Sequence, residues 1–318
     1  MKGDSAVRTE HCSLPALRRA LDGAALCYVG FLLTLTLVFP SRIEGWQQAS
    51  LSLAIAGTLY GAVVAVVRRM PSGPPSAVLY TSAVMMLFSF LFTITGLYQH
   101  LFVRGWLDGD LIAWEKSLMG VESSVFLQRV VHPALTEWMM FAYVIYLPLL
   151  PFVALVCYRS AGVRAMTDYL LNLSLSYIVC YLGFIVYPVA GPLCYYPEQF
   201  TVPLGGGIFA WCGEWIRSTL HYPGGCLPSP HCAAGTVMML MLFRYHRKMF
   251  AVTLPVILTI YAATVYGRYH YLSDSVSGIA VAVVVVAASP VIVRGLDRLT
   301  TRLRQLPERG PEPGSLAE

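Results

Sequence analysis

Eight stretches of this chain, roughly 23–40, 50–67, 76–98, 138–157, 168–188, 232–246, 250–266 and 272–293, are apolar over nearly the length that a bilayer crossing demands. A spanning helix takes ~20 mostly apolar residues, because every backbone N–H and C=O must find its partner inside the segment. The sixth stretch is the weakest: it is short and runs into the basic "RYHRK". With 57% hydrophobic and 12% charged residues over 318 positions, the chain falls outside the composition of ordinary soluble domains. The expected fold is an all-α integral membrane protein, a polytopic bundle of about eight transmembrane helices with interfacial helices on its outer face.

The charges are informative by position rather than by sum. If the N-terminus lies inside, the inner segments hold 16 of the 22 Lys and Arg, whereas the acidic residues split eight inside and nine outside. That asymmetry is what a rule about Lys and Arg produces, and it assigns both termini to the cytoplasm. It points to a bilayer rather than a nucleic acid as the partner. No small-residue cleavage site follows the first apolar run, so that run is expected to be a retained anchor. The expected division is a cytoplasmic segment 1–22, a single membrane domain 23–293, and a tail 294–318. The tail's basic start suits a surface-bound helix, and its Pro, Gly and Ser-containing end suits disorder. The membrane would be a bacterial cell membrane or an endomembrane.

Two outer segments break the rhythm of short loops. Residues 99–137 mix Trp, Leu and Phe with charges at helical spacing, as one or two helices in the membrane interface would. Residues 187–231 contain so much Gly and Pro that one regular helix is excluded. Cys194, Cys212, Cys226 and Cys232 fall in or beside this second segment, where disulfides could form in an oxidising compartment. No close CxxC pair supports a zinc site, and neither a metal nor a cofactor is expected. Cys27, Cys157 and Cys180 are read as apolar packing, and Trp106, Trp114, Trp138, Trp211 and Trp215 as interface anchors.

The chemistry-bearing residues gather in two clusters that the topology puts on one outer face. In "GRYHYLSDSVSG", His270 and Asp274 are four apart and share a helix face if the last helix starts near Tyr269. The carboxylate would fix the tautomer that leaves the other ring nitrogen nucleophilic. In "GGCLPSPHCAAG", Pro228 and Pro230 stiffen the approach to a helix whose free N–H groups would attract an anion. Ser229 adds a hydroxyl, and His231 a proton for a leaving oxygen. His221 is close enough in sequence to the second cluster to be a lesser candidate.

"PSPH" followed about forty residues later by "HYLSD" resembles the last two signature motifs, PSxH and HxxxD, of the type 2 phosphatidic acid phosphatase superfamily. The resemblance covers roughly 110–290. It implies a nucleophile at His270, a general acid and then base at His231, and an orienting carboxylate at Asp274. It also implies a phosphohistidine intermediate and no required metal. The arginine usual six residues before the nucleophile would fall on Thr264, and the usual first motif has no match. Arg268, two residues from His270, is the expected substitute for phosphate binding, with Arg217 the second candidate and Ser229 contributing beside them. These departures, with "YPVAGP" at 187–192 and "LMGVESS", are similar to the inositol phosphorylceramide synthase branch. That branch would make the substrate a phospholipid and the acceptor an alcohol such as inositol or ceramide. A phosphatase passing the phosphoryl group to water is the alternative. A transporter or an inactive lipid-binding relative are the readings from other classes. A permeation path would put ionisable groups near mid-membrane on several spans, whereas these gather at one face.

Overall fold

A computed structural model describes residues 12–220 and 222–305. Among these residues eleven α-helices follow in order: α1 (Leu14–Val38), α2 (Trp46–Arg69), α3 (Pro74–Thr95), α4 (Asp108–Met119), α5 (Ser123–Leu127), α6 (Pro133–Val186), α7 (Pro192–Tyr195), α8 (Ile208–Leu220), α9 (Pro230–Tyr245), α10 (Arg247–Tyr266) and α11 (Leu272–Gln305). No strand occurs among the described residues. The all-α membrane fold expected from the sequence is the one found.

The 54 residues of α6 would extend ~81 Å as a straight rod, far beyond the ~30 Å apolar core of a bilayer. The helix instead breaks at Ala161 and Gly162, where φ of Gly162 is +72°, a conformation that glycine adopts without a Cβ penalty. Tyr169 Oη donates to Leu150 O at 3.1 Å, and the Tyr146 and Tyr177 hydroxyls meet at 2.7 Å. Partners that face each other across the break, Tyr146 and Tyr177 each 15 residues from it, are the signature of two antiparallel arms. Arms 133–160 and 163–186 contain the fourth and fifth expected crossings. Six helices among the described residues, α6 being one of them, are long and apolar enough to cross a membrane. With 16 residues, α9 falls short of that length, so the expected count of eight is not reached by this measure.

Although short, α9 is the centre of the molecule. Ala233, Ala234, Val237, Met238, Met241 and Leu242 are wholly buried, and α6, α10 and α11 pack around it. Small residues permit the close approach: a Cβ on Gly278 of α11 would lie 2.3 Å from Ser229 O at the start of α9. Helices α1 and α3 pack on α6, while α2 shows Leu51, Ile55, Leu59 and Val66 to the surroundings. Such an apolar face suits lipid.

Two boundaries differ from expectation. Helix α1 starts at Leu14, where Ser13 Oγ accepts the Ala16 N–H as an N-cap, so helical structure reaches into the expected segment 1–22. Helix α11 continues past Val293 to Gln305. The basic start of the tail thus prolongs the last crossing helix, and the Pro and Gly end lies outside the described residues.

Candidate active site

At one end of the bundle, the start of α9, the turn after α10 and the start of α11 converge. Ser229 caps α9, its Oγ accepting from Cys232 N at 3.4 Å with Pro230 in the first turn. Ser229 N donates to Asp274 O at 3.0 Å, tying the two clusters through their main chains. The turn after α10 is wound tightly: Tyr269 N and His270 N both donate to Thr264 O at 3.1 Å. Arg268 holds the left-handed φ of +66° that such a turn requires, a position usually given to glycine. A non-glycine residue there costs ~1 kcal/mol or more, the kind of local strain that collects at functional sites.

His270 Nδ1 lies 3.4 Å from Asp274 Oδ2, and the same oxygen accepts from Tyr271 N at 3.0 Å. The carboxylate therefore closes the start of α11 in the manner of a capping box while facing the imidazole. Asp274 is wholly buried, and its Oδ1 has no hydrogen-bond partner among the described residues. The ring of His231 lies 5.6 Å from that of His270, centroid to centroid, at 66°. Tyr143 and Tyr146, one turn apart on α6, contact His231 at 5.1 and 4.7 Å. Burial pushes the His270 imidazole down to about 4, because the cation loses its hydration there. The ring is consequently neutral near pH 7, as a nucleophile must be.

His270, Asp274, His231 and Ser229 are thus brought together. The two candidate arginines lie beside them. Arg268 and Arg217 line a cavity of about 430 Å³ together with Glu214, Leu193 and Tyr269. Neither histidine lines it; Tyr269 stands between, stacked 4.6 Å from Tyr143, which is itself stacked on His231. Arg268 donates to Val202 O and sits 4.5 Å over the Phe200 ring, and burial lowers its pKa. Arg217 is paired with Glu214, which raises the guanidinium and lowers the carboxyl. His221 lies outside the described residues.

Thr264, at the family's arginine position, is fully buried and bonds Ser275 Oγ at 3.1 Å and Tyr261 O at 2.8 Å. Cys232 Sγ is 3.8 Å from its hydroxyl, deep in the core. Cys226 Sγ donates to the carbonyls of Gly224 and Tyr269 at 3.5 Å. Both are thiols, with neither in a disulfide. Cys226, His270 and Asp274 each place a donor atom within 4.8 Å of the others, a set that could ligate an ion, although Cys226 is engaged as a thiol.

The sequence did not single out four of the side chains around this site. Tyr143 and Tyr146 carry a helical spacing that packing alone also produces. Asp108 and Glu115, seven apart on α4, are both wholly buried. Asp108 accepts from Ala190 N at 2.8 Å, Gly191 N at 2.9 Å and Tyr271 Oη at 2.8 Å, bonds that partly offset the upward push of burial on its pKa. Glu115 accepts from Ser123 N, Ser123 Oγ and Ser273 N at 3.0, 2.6 and 3.1 Å. Their two-turn spacing, acidic on an otherwise mixed helix, was the available signal.

Fold and geometry define a multi-pass helical membrane protein with a paired-histidine site at one end of its bundle. The sequence pattern of the PAP2 superfamily matches residues 109–288, more than half of the chain, and the chain belongs to that superfamily. Membership supports action on lipid phosphates as a phosphatase or phosphotransferase. No curated protein and no solved structure matches the chain.

Proposed function

We propose that the protein is a membrane lipid phosphotransferase working through a phosphohistidine, with its site at the extracytoplasmic or lumenal face. The observation that carries this reading is the approach of the His231 and His270 rings to 5.6 Å, with His270 backed by Asp274. Asp274 at Nδ1 leaves Nε2 of His270 with its lone pair toward phosphorus. In the first step, Nε2 attacks, the P–O bond to the lipid alkoxide breaks, and His231 gives that oxygen its proton. In the second, His231 takes the proton of an acceptor hydroxyl, whose oxygen attacks phosphorus and releases His270. Ser229, Arg268, Arg217 and the N–H groups opening α9 are assigned to the phosphate oxygens. The 3.4 Å spacing of His270 and Asp274 is longer than a working hydrogen bond, as is common before substrate tightens a site.

Transfer is favoured over hydrolysis because His270 is only 3% exposed. A nucleophile screened from bulk water retains its phosphoryl adduct until an alcohol arrives. The donor would then be a phospholipid such as phosphatidylinositol, and the acceptor a ceramide hydroxyl. The test is reconstitution with labelled lipid phosphates and with phosphatidylinositol plus ceramide, followed by separation of free phosphate from new phospholipid. New phospholipid is expected from wild type and none from His270→Ala; equal products from both overturn the reading. Free phosphate alone would replace transferase by phosphatase.

A further inference from the structure

We propose that α4 sets the geometry of the His270 and Asp274 pair, with Asp108 and Glu115 as positioning residues that hold Tyr271 and Ser273, two of the three intervening residues. The inference rests on the reaction proposed above for its kinetic readout, though not for its structural one.

Seven residues make almost two helical turns, so both carboxylates project from one face of α4. Asp108 bonds the Tyr271 hydroxyl next to the nucleophile, and Glu115 bonds the Ser273 N–H next to the orienting aspartate. Each carboxylate also reaches a second element. Asp108 gathers Ala190 N and Gly191 N, and Gly191 presses so closely that a Cβ there would lie 2.8 Å from Tyr269 O. Glu115 gathers the start of α5 through Ser123. Two of the three residues between His270 and Asp274 are therefore clamped from outside the motif that contains them, by carboxylate acceptors that water does not reach. Charge-assisted bonds in a buried setting are the strong ones, and they hold a rotamer where neutral contacts would let it drift. Elsewhere on its surface α4 exposes Trp114, Leu118 and Met119, apolar side chains suited to the bilayer interface.

Tyr271→Phe removes one hydroxyl, and Glu115→Gln removes one charge at constant shape; neither residue touches the reacting atoms. If α4 positions the pair, kcat falls about 10-fold in Tyr271→Phe and about 100-fold in Glu115→Gln while KM stays within about twofold, since small misplacements at a reacting centre are costly. The ¹⁵N signals of the His270 ring, assigned by comparison with His270→Gln, are expected to move in both variants. Wild-type kcat together with wild-type ring signals in folded, monodisperse protein overturns the inference. Should Glu115→Gln fail to fold, Tyr271→Phe alone decides between these outcomes. If wild type turns over no lipid phosphate yet the ring signals still respond, the proposed reaction fails and the positioning role stands.

Discussion

Two buried aspartates, at different ends of the bundle, are served very differently. Asp22 in α1 has both carboxylate oxygens engaged: Tyr60 and Tyr80 hydroxyls donate to Oδ1 at 3.0 and 2.7 Å, and Arg68 to Oδ2 at 2.8 Å. Asp274 in α11 is still more deeply buried, but only Oδ2 is engaged, by Tyr271 N and by His270 across 3.4 Å. A carboxylate whose partners include an opposite charge and two hydroxyls holds helices together. A buried carboxylate left half satisfied is costly unless the deficit serves chemistry, since an unmet polar group loses ~1–3 kcal/mol. The same residue type is thus a staple in one place and a reagent in the other.

The comparison breaks most sharply under paired substitution. Asp274→Asn, which keeps shape and burial, is expected to lower kcat on the order of 10³-fold by presenting His270 with the wrong hydrogen-bond partner. Its melting temperature in detergent should stay within a few degrees of wild type. Asp22→Asn should do the reverse, with kcat within about twofold and stability lower by ~1–3 kcal/mol, because an N–H replaces an acceptor among donors. Melting curves and steady-state rates on both variants check this; equal effects on both quantities in both variants would erase the distinction.

This difference also marks what was legible in the sequence. Hydrophobic run lengths announced the helices, because the bilayer imposes one length scale on all of them. His231, His270 and Asp274 were legible because each motif is local: a Pro and Ser start for α9, and an i, i+4 pair at the start of α11. The clamp on them was not, since Asp108 and Tyr271 are 163 residues apart and only the fold shows that they meet. Nor was the saturation of Asp22, whose partners sit on α2 and α3. The reversal at Gly162 was legible, because Arg159 and Arg164 interrupt the apolar run between the fourth and fifth stretches; only the positive φ that makes it needed the fold. Where a site is built from neighbours in sequence, patterns suffice; where it is braced from afar, they do not.

The pH dependence sharpens the contrast at the reagent end. A solvated histidine takes up its proton near 6.5, but burial holds His270 down to about 4. Protonation removes the attacking lone pair, so activity is lost as pH falls through the folded value rather than the ordinary one. Enzyme phosphorylation in single-turnover labelling should be level from pH 7 to about 5, then fall about tenfold per pH unit below about 4. An acid limb centred near 6.5 in the labelling step would mean that His270 is solvated when it reacts.

The smallest effect belongs to the arginines, where the same logic of engaged against available groups applies. Arg268 is nearly buried, donating to Val202 O and covered by Phe200. Reaching a phosphate would require it to leave both. Arg217 has a third of its side chain exposed and needs only to exchange Glu214, its neighbour on α8, for a ligand anion in the cavity that both arginines line. An ion pair at that exposure is worth ~1 kcal/mol or less. Arg217→Gln should therefore raise KM about fivefold or less and leave kcat unchanged, the mark of binding that is equal in ground and transition states. A fall in kcat with constant KM would instead mean that Arg217 holds the phosphate oxygens more tightly in the transition state than in the ground state. It would then belong with Asp274 among the groups that act in the reaction itself.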